Sequence, residues 1–382
     1  MTSAGPGETM KAQSRPRHAP AGLPPPARLP LLALGFLALV LGAGAGLARL
    51  GWPVPALAAA AAGLHGPLMV CGFFGVVIAL ERAVAVGHAW SYLGPLLAAL
   101  GVLSLLLGQA AAAPWLFLGG SAVLLAATLD VLRRQRALFT LTLALGAAAL
   151  VLGNALWSAG LAVADALPWW LAFLVLTIAG ERLELSRFLP PSPRASRVFA
   201  LLLGMICIGL AAGRHALGPP LFGAALLGLA LWLMKQDIAR RTVRGRGLTR
   251  FIAVCLLAGY VWLAVGGALL AAGAAAAPGS AAYDAALHAI TLGFVFSMVF
   301  GHAAIILPAV TRFAVPYHAS FYAPLALMQV SLLVRLGGDA AANPDWLRAG
   351  GLLNALALAA FLLNTMAAVL RGRRERGRPA VN

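Results

Sequence analysis

The stretch YDAALHAITLGFVFSMVFGHAAIILP, Tyr283–Pro308, decides how this chain is read. Its only charge is Asp284, at the start. A helix of this length, rising about 1.5 Å per residue, outruns the roughly 30 Å hydrocarbon core of a bilayer. The stretch is therefore read as a membrane span. Asp284, His288, Thr291, Val295, Met298, His302 and Ile305 follow three- and four-residue spacing and predict one stripe along the helix. Ionisable side chains inside a bilayer are expensive and are functional candidates by default. Neutral imidazole is also the commonest side-chain ligand of transition metals.

The surrounding chain supports this reading. It is 62% hydrophobic and 10% charged, which points to an all-α polytopic membrane protein rather than a soluble domain. Hydropathy marks twelve spans, at about 29–48, 55–80, 92–112, 114–129, 138–160, 167–183, 197–213, 219–235, 250–273, 283–308, 319–336 and 347–370. A disordered basic tail, 1–28, precedes the twelve-span domain of 29–370, and a basic tail, 371–382, follows it. The first apolar run reads as a retained helix, not a signal peptide. Cys71, Cys207 and Cys255 all fall in apolar runs with no paired spacing, so they read as small core residues.

A net charge of +17 would suit nucleic acid, but its distribution excludes that partner. With a cytoplasmic N-terminus, all lysines and arginines except Arg49, Arg214, Arg335 and Arg348 fall on the cytoplasmic side. This asymmetry is the orientation signal of a multi-pass protein with both termini inside. Heavy use of Ala, Gly and Arg places the chain in a GC-rich bacterium, hence in the bacterial cytoplasmic (inner) membrane. The partner that follows is the lipid bilayer.

A motif recurs every fourth span. The second ends in Glu81-Arg82, the sixth in Glu181-Arg182 and the tenth in Thr311-Arg312. These groups read first as interfacial anchors and ion pairs, and second as proton-relay groups. Three units of four helices would give spans 2, 6 and 10 equivalent inner positions. That arrangement is like the catalytic subunit of haem–copper oxidases, which binds a low-spin haem between histidines on helices 2 and 10. The histidines that such oxidases use for copper on helices 6 and 7 have no counterpart here.

Span 2 contains His65-Gly66-Pro67-Leu68-Met69-Val70-Cys71-Gly72. His65 and Met69 share a face, and Pro67 breaks a backbone hydrogen bond beside them. His65 and His288 both lie towards the outer end of their spans, so a haem held by one histidine from each helix is one expectation. Asp284, one turn before His288, would support that ligand. His302, about 21 Å further along the helix than His288, cannot share its metal. Copper is the other expectation, because imidazole with thioether, from His65 and Met69 or from Met298 and His302, suits Cu(I). His18, His88 and His215 read as solvated, and His318 would reach His302 only if the chain folds back. Asn154, Trp157, Ser158, Asn354, Asn364 and Thr365 read as interhelical hydrogen-bonding groups.

The run His65-x-x-x-Met69-x-x-Gly72-Phe73 resembles the helix-2 signature of the NnrS family. His288-Ala289-Ile290-Thr291-Leu292-Gly293, followed by Met298 and Thr311-Arg312, resembles that family's tenth-helix segment. The resemblance implies a membrane haem- and copper-containing protein associated with denitrification and the nitric oxide response, with His65 and His288 as metal ligands. The chain departs from the family's His-x-His-Glu-Met pattern, with Pro67 and Leu68 at the second and third defined positions. Respiratory electron transfer with a redox partner, a twelve-helix secondary transporter, and an assembly subunit of a respiratory enzyme stay open as alternatives.

Overall fold

The computed structural model describes residues 22–185 and 191–376. Among them, twelve helices are long and apolar enough to cross a membrane: α1 (Pro25–Arg49), α2 (Ala62–Val86), α3 (Ala89–Leu106), α4 (Ala113–Arg134), α5 (Leu138–Ser158), α6 (Val163–Leu185), α7 (Pro193–Ala211), α8 (Gly218–Gln236), α9 (Gly247–Ala271), α10 (Ala281–Thr311), α11 (Ala319–Ala340) and α12 (Pro344–Arg374). No strand occurs among the described residues. The protein is an all-α, multi-pass membrane protein, and each expected span has its helix. With an even number of crossings, both ends of the twelve-helix domain lie on one side, called here the terminal side.

The spans differ from their hydropathy limits where capping or pairing outweighs polarity. α1 starts at Pro25, because proline is tolerated in the first helical turn. Arg28 therefore belongs to the helix and not to a tail. It is buried and donates to the carbonyls of Leu23 (2.7 Å) and Val310 (2.9 Å), tying α1 to the end of α10. The apolar run from 55 is interrupted: a short helix, Ala56–Ala60, precedes α2. α2 then carries Glu81 and Arg82 inside its last turns and stops at Gly87, whose φ of 74° suits glycine. α12 runs past 370 into the expected C-terminal tail. The remainder of the two tails, including His18, lies outside the described residues.

α2, α6 and α10 form the centre. They bury 61%, 61% and 67% of their apolar windows, against 33–56% for the other nine. This is the inner placement that the four-helix recurrence implied. Asn154 of α5 ties several helices together. Its amide donates to the Phe117 carbonyl (3.0 Å) and to Ser121 (3.2 Å) of α4. Its oxygen accepts from Cys71 of α2 (3.1 Å) and Trp170 of α6 (3.0 Å). Without water in the bilayer, such full satisfaction is what a buried amide needs. All three cysteines are free, and Cys71 and Cys255 are buried.

A second polar cluster closes the terminal side. Arg182 at the end of α6 makes a two-pronged pair with Asp237, in the connection after α8, at 2.7 and 3.0 Å. Tyr260 donates to the same carboxylate at 2.6 Å, and the Ala239 N–H donates at 2.8 Å. Burial alone would raise the Asp237 carboxyl, but the Arg182 guanidinium and these donors hold it below the usual carboxylate range. Arg182 is thus an ion-pairing group, as its place at a span end suggested.

Two of the central helices are not regular. Leu68–Phe74 in α2 and Ala289–Phe296 in α10 are π-helical. Each π segment follows closely on a histidine, His65 in one case and His288 in the other. π segments are rare and recur at functional sites. In α2, Pro67 lies just before the segment, where its missing N–H already weakens the α-helical ladder.

Candidate functional site

α2 and α10 run in the same direction, each from the far side of the bundle towards the terminal side. His65 and His288 are near their starts and so meet at one level. Their ring centroids are 6.4 Å apart and their planes differ by 20°. The Nδ1 of His65 lies 2.7 Å from the carbonyl of Gly42 in α1. The Nδ1 of His288 lies 2.9 Å from the Asp284 carbonyl, one turn back. A carbonyl only accepts, so in both rings Nδ1 carries a proton, and in the neutral ring Nε2 keeps its lone pair. Both imidazoles are fixed in the tautomer that ligates through Nε2.

The surroundings hold the rings in place. A Cβ on Gly46 would come within 2.9 Å of His65 Cε1 and 3.0 Å of Nδ1, so α1 packs directly on the ring because residue 46 has no side chain. Met69 reaches the same helix, and a Cβ on Gly42 would stand 2.7 Å from its Sδ. Thus His65 and Met69 share a neighbour, as their four-residue spacing suggested.

Asp284 acts on His288 through its carbonyl and through its carboxylate, whose Oδ1 is 3.3 Å from Nδ1. That carboxylate is itself gripped by Arg335 of α11, with Nε at 2.9 Å from Oδ2 and a terminal nitrogen at 3.0 Å from Oδ1. By its place in the sequence, Arg335 is among the residues marking the outer connections. The structure buries it, at 6% exposure, inside the bundle. Its mark in the sequence is an exception to the basic asymmetry: an arginine on the sparsely charged side, within an apolar run.

The stripe expected along α10 is divided. After the π segment the face turns, since extra residues per turn shift every later side chain. His288 faces His65, whereas Val295, Met298 and His302 line a separate cavity and Ile305 is 51% exposed. His302 repeats the tautomer of the other two, with Nδ1 2.8 Å from the Met298 carbonyl. The Met298 side chain abuts α9, where a Cβ on Gly259 would be 2.6 Å from its methyl carbon. Between the two regions, Phe73 and Phe296 stack at 5.9 Å, and Phe74 joins Phe296 at 5.3 Å.

The remaining histidines stand apart. His88 lies 3.4 Å from Arg134, His215 is exposed, and His318 is exposed and engages Ser320. In α12, Asn354 accepts from Ser331 and Asn364 accepts from Ser320, as interhelical bonds. Among the described residues, no three histidine, cysteine or carboxylate side chains converge to hold a metal ion. A metal at the far side would accordingly rest on the His65–His288 pair.

No curated protein matches the chain significantly. The family described as Domain of unknown function (DUF8744) matches residues 28–370, and the chain belongs to that family.

Proposed function

We propose that this protein is an integral membrane haem protein in which His65 and His288 are the two axial ligands. Its setting is the bacterial cytoplasmic membrane, with both termini inside, and its role is respiratory electron transfer or the nitric oxide response. One observation carries the reading: two imidazoles from the central helices, with centroids 6.4 Å apart and both Nδ1 atoms committed to carbonyls. Nitrogen–metal bonds of about 2 Å on each side, plus the radius of each ring, put the centroids of opposed imidazoles about 6 Å apart. The centroid distance therefore admits one metal between the two rings. When bound, haem with both axial positions filled supplies one-electron transfer.

The chain's own contribution is positional. Gly42 and Asp284 fix the tautomers, Gly46 sets the approach of α1, and Arg335 holds Asp284. The resemblance of the His65 and His288 segments to the NnrS family supports the nitric oxide setting. Copper is the competing occupant, since imidazole pairs with a nearby thioether also suit Cu(I).

The test is a reduced-minus-oxidised visible spectrum with metal analysis. It would use protein from haem-replete cells, together with His65→Ala and His288→Ala. A sharp α-band lost in both variants is expected. Copper without haem, dependent on Met69 or Met298, would replace haem with copper handling. Absence of both metals from well-folded protein would overturn the reading in favour of a transporter or an assembly subunit.

A further inference from the structure

A cavity of about 720 Å³ lies in the terminal-side half of the bundle, between α1, α2, α6, α10 and α12. Its volume is in the range of small-molecule sites. Most of its wall is Leu, Ile, Val and Phe, but polar side chains also line it: Glu81, Glu181, His302 and Thr365, with Thr177, Thr311 and the two arginines Arg182 and Arg373. Glu81 and Glu181 come from equivalent ends of α2 and α6, and their charges interact. Neither carboxyl makes a direct hydrogen bond or close ion pair among the described residues, although the charge of Arg82 acts on both. Arg182, beside Glu181, is committed to Asp237. Thr365 is 7% exposed and its hydroxyl has no hydrogen-bond partner. An unpaired buried hydroxyl is costly, and a ligand that pairs with Thr365 removes that cost.

The chemistry of the wall selects the ligand. Arg182 spends its charge on Asp237 and Arg373 lies over the Phe313 ring, which leaves the carboxyls, the Thr365 hydroxyl and the His302 imidazole as the uncommitted polar lining. Carboxyl, hydroxyl and imidazole groups suit a neutral head that both donates and accepts hydrogen bonds. Leu185, Met366 and Leu370 line the cavity and are 52%, 61% and 49% exposed on the bundle, so its mouth opens among side chains that face hydrocarbon. The ligand therefore arrives through the lipid and carries an apolar tail. We infer that this cavity binds the headgroup of a membrane quinone or quinol, held by Glu81, Glu181, His302 and Thr365. The inference concerns a site separate from His65 and His288 and does not depend on what they bind.

Photoaffinity labelling of the full-length protein in detergent tests it, with an azido-benzoquinone as probe and decylubiquinone as competitor. Label is expected on peptides from the cavity wall, and excess decylubiquinone should suppress it at least tenfold. Glu181→Gln and the cavity-filling Ala303→Trp should each lower wall labelling several-fold while eluting as folded protein. His65→Ala should leave it unchanged, which separates this site from the haem reading. Labelling confined to other surfaces would overturn the inference. So would label that decylubiquinone does not displace, or wall labelling unchanged in folded Glu181→Gln and Ala303→Trp. Extraction of phospholipid alone from a cavity that excludes the probe would assign it to structural lipid and overturn the inference equally.

Discussion

Arg335 holds both carboxylate oxygens of Asp284, at 2.9 and 3.0 Å, one helical turn from the imidazole of His288. The arginine comes from α11 and the aspartate from α10, so the pair fixes one helix against another and orients a ring. Its guanidinium is buried and its carboxylate is about one-third exposed. Removing one partner of a buried pair strands the other, which costs about 3 kcal/mol or more. Because the stranded Asp284 is partly exposed, Arg335→Met should destabilise the protein by about 1–3 kcal/mol in a detergent melt. Arg335→Lys should recover only part of this, because an ammonium cannot make the two-pronged contact. A melting temperature unchanged in Arg335→Met would remove the pair from the account.

Gly46 offers a test of the histidine pair that leaves both ligands in place. Alanine there would put a methyl carbon within 2.9 Å of the His65 ring, so the ring or α1 must shift. Gly46→Ala should weaken or broaden the haem signal without abolishing the fold, whereas Gly204→Ala, where a Cβ meets open space, should do neither. Visible spectra of the two variants at matched protein concentration decide it.

Asn154 satisfies four groups on α2, α4 and α6. Asn154→Leu removes these bonds and strands the Trp170 N–H, at a cost of about 1–3 kcal/mol. Trp170 is completely buried, so its fluorescence should report the change along with the melting curve. Equal stability of the variant and the parent would mean that packing, not the amide, joins these helices.

The Arg182–Asp237 pair predicts a pH dependence. The folded carboxyl of Asp237 lies below its usual value of about 3.9. Its contribution is therefore fully present above the unfolded value and is lost as the pH falls through the folded one. Melting temperature should decline on acidification below about pH 4, and Asp237→Asn should flatten that limb while lowering stability at neutral pH by about 3 kcal/mol. Parallel acid limbs in the two proteins would assign the decline to other carboxyls.

The sequence by itself determined the class, the number of crossings and which helices lie inside. Twelve apolar runs long enough to span leave no other fold, because backbone polar groups in lipid are satisfied within helices. The placement of Glu81, Glu181 and Thr311 on every fourth span already marked α2, α6 and α10. His65, His288 and Asp284 stood out because ionisable groups are scarce in such runs. Only the tertiary structure decided which of these groups meet. The π segments after His65 and His288 turn the following residues to a new face, so an α-helical stripe cannot place His302. Arg335 reads in the sequence as a side marker, and Arg182 as an anchor or ion-pairing group with no partner named, because charge alone does not record a partner. Asp284 and Asp237, distant in the chain, become their partners only when the helices pack.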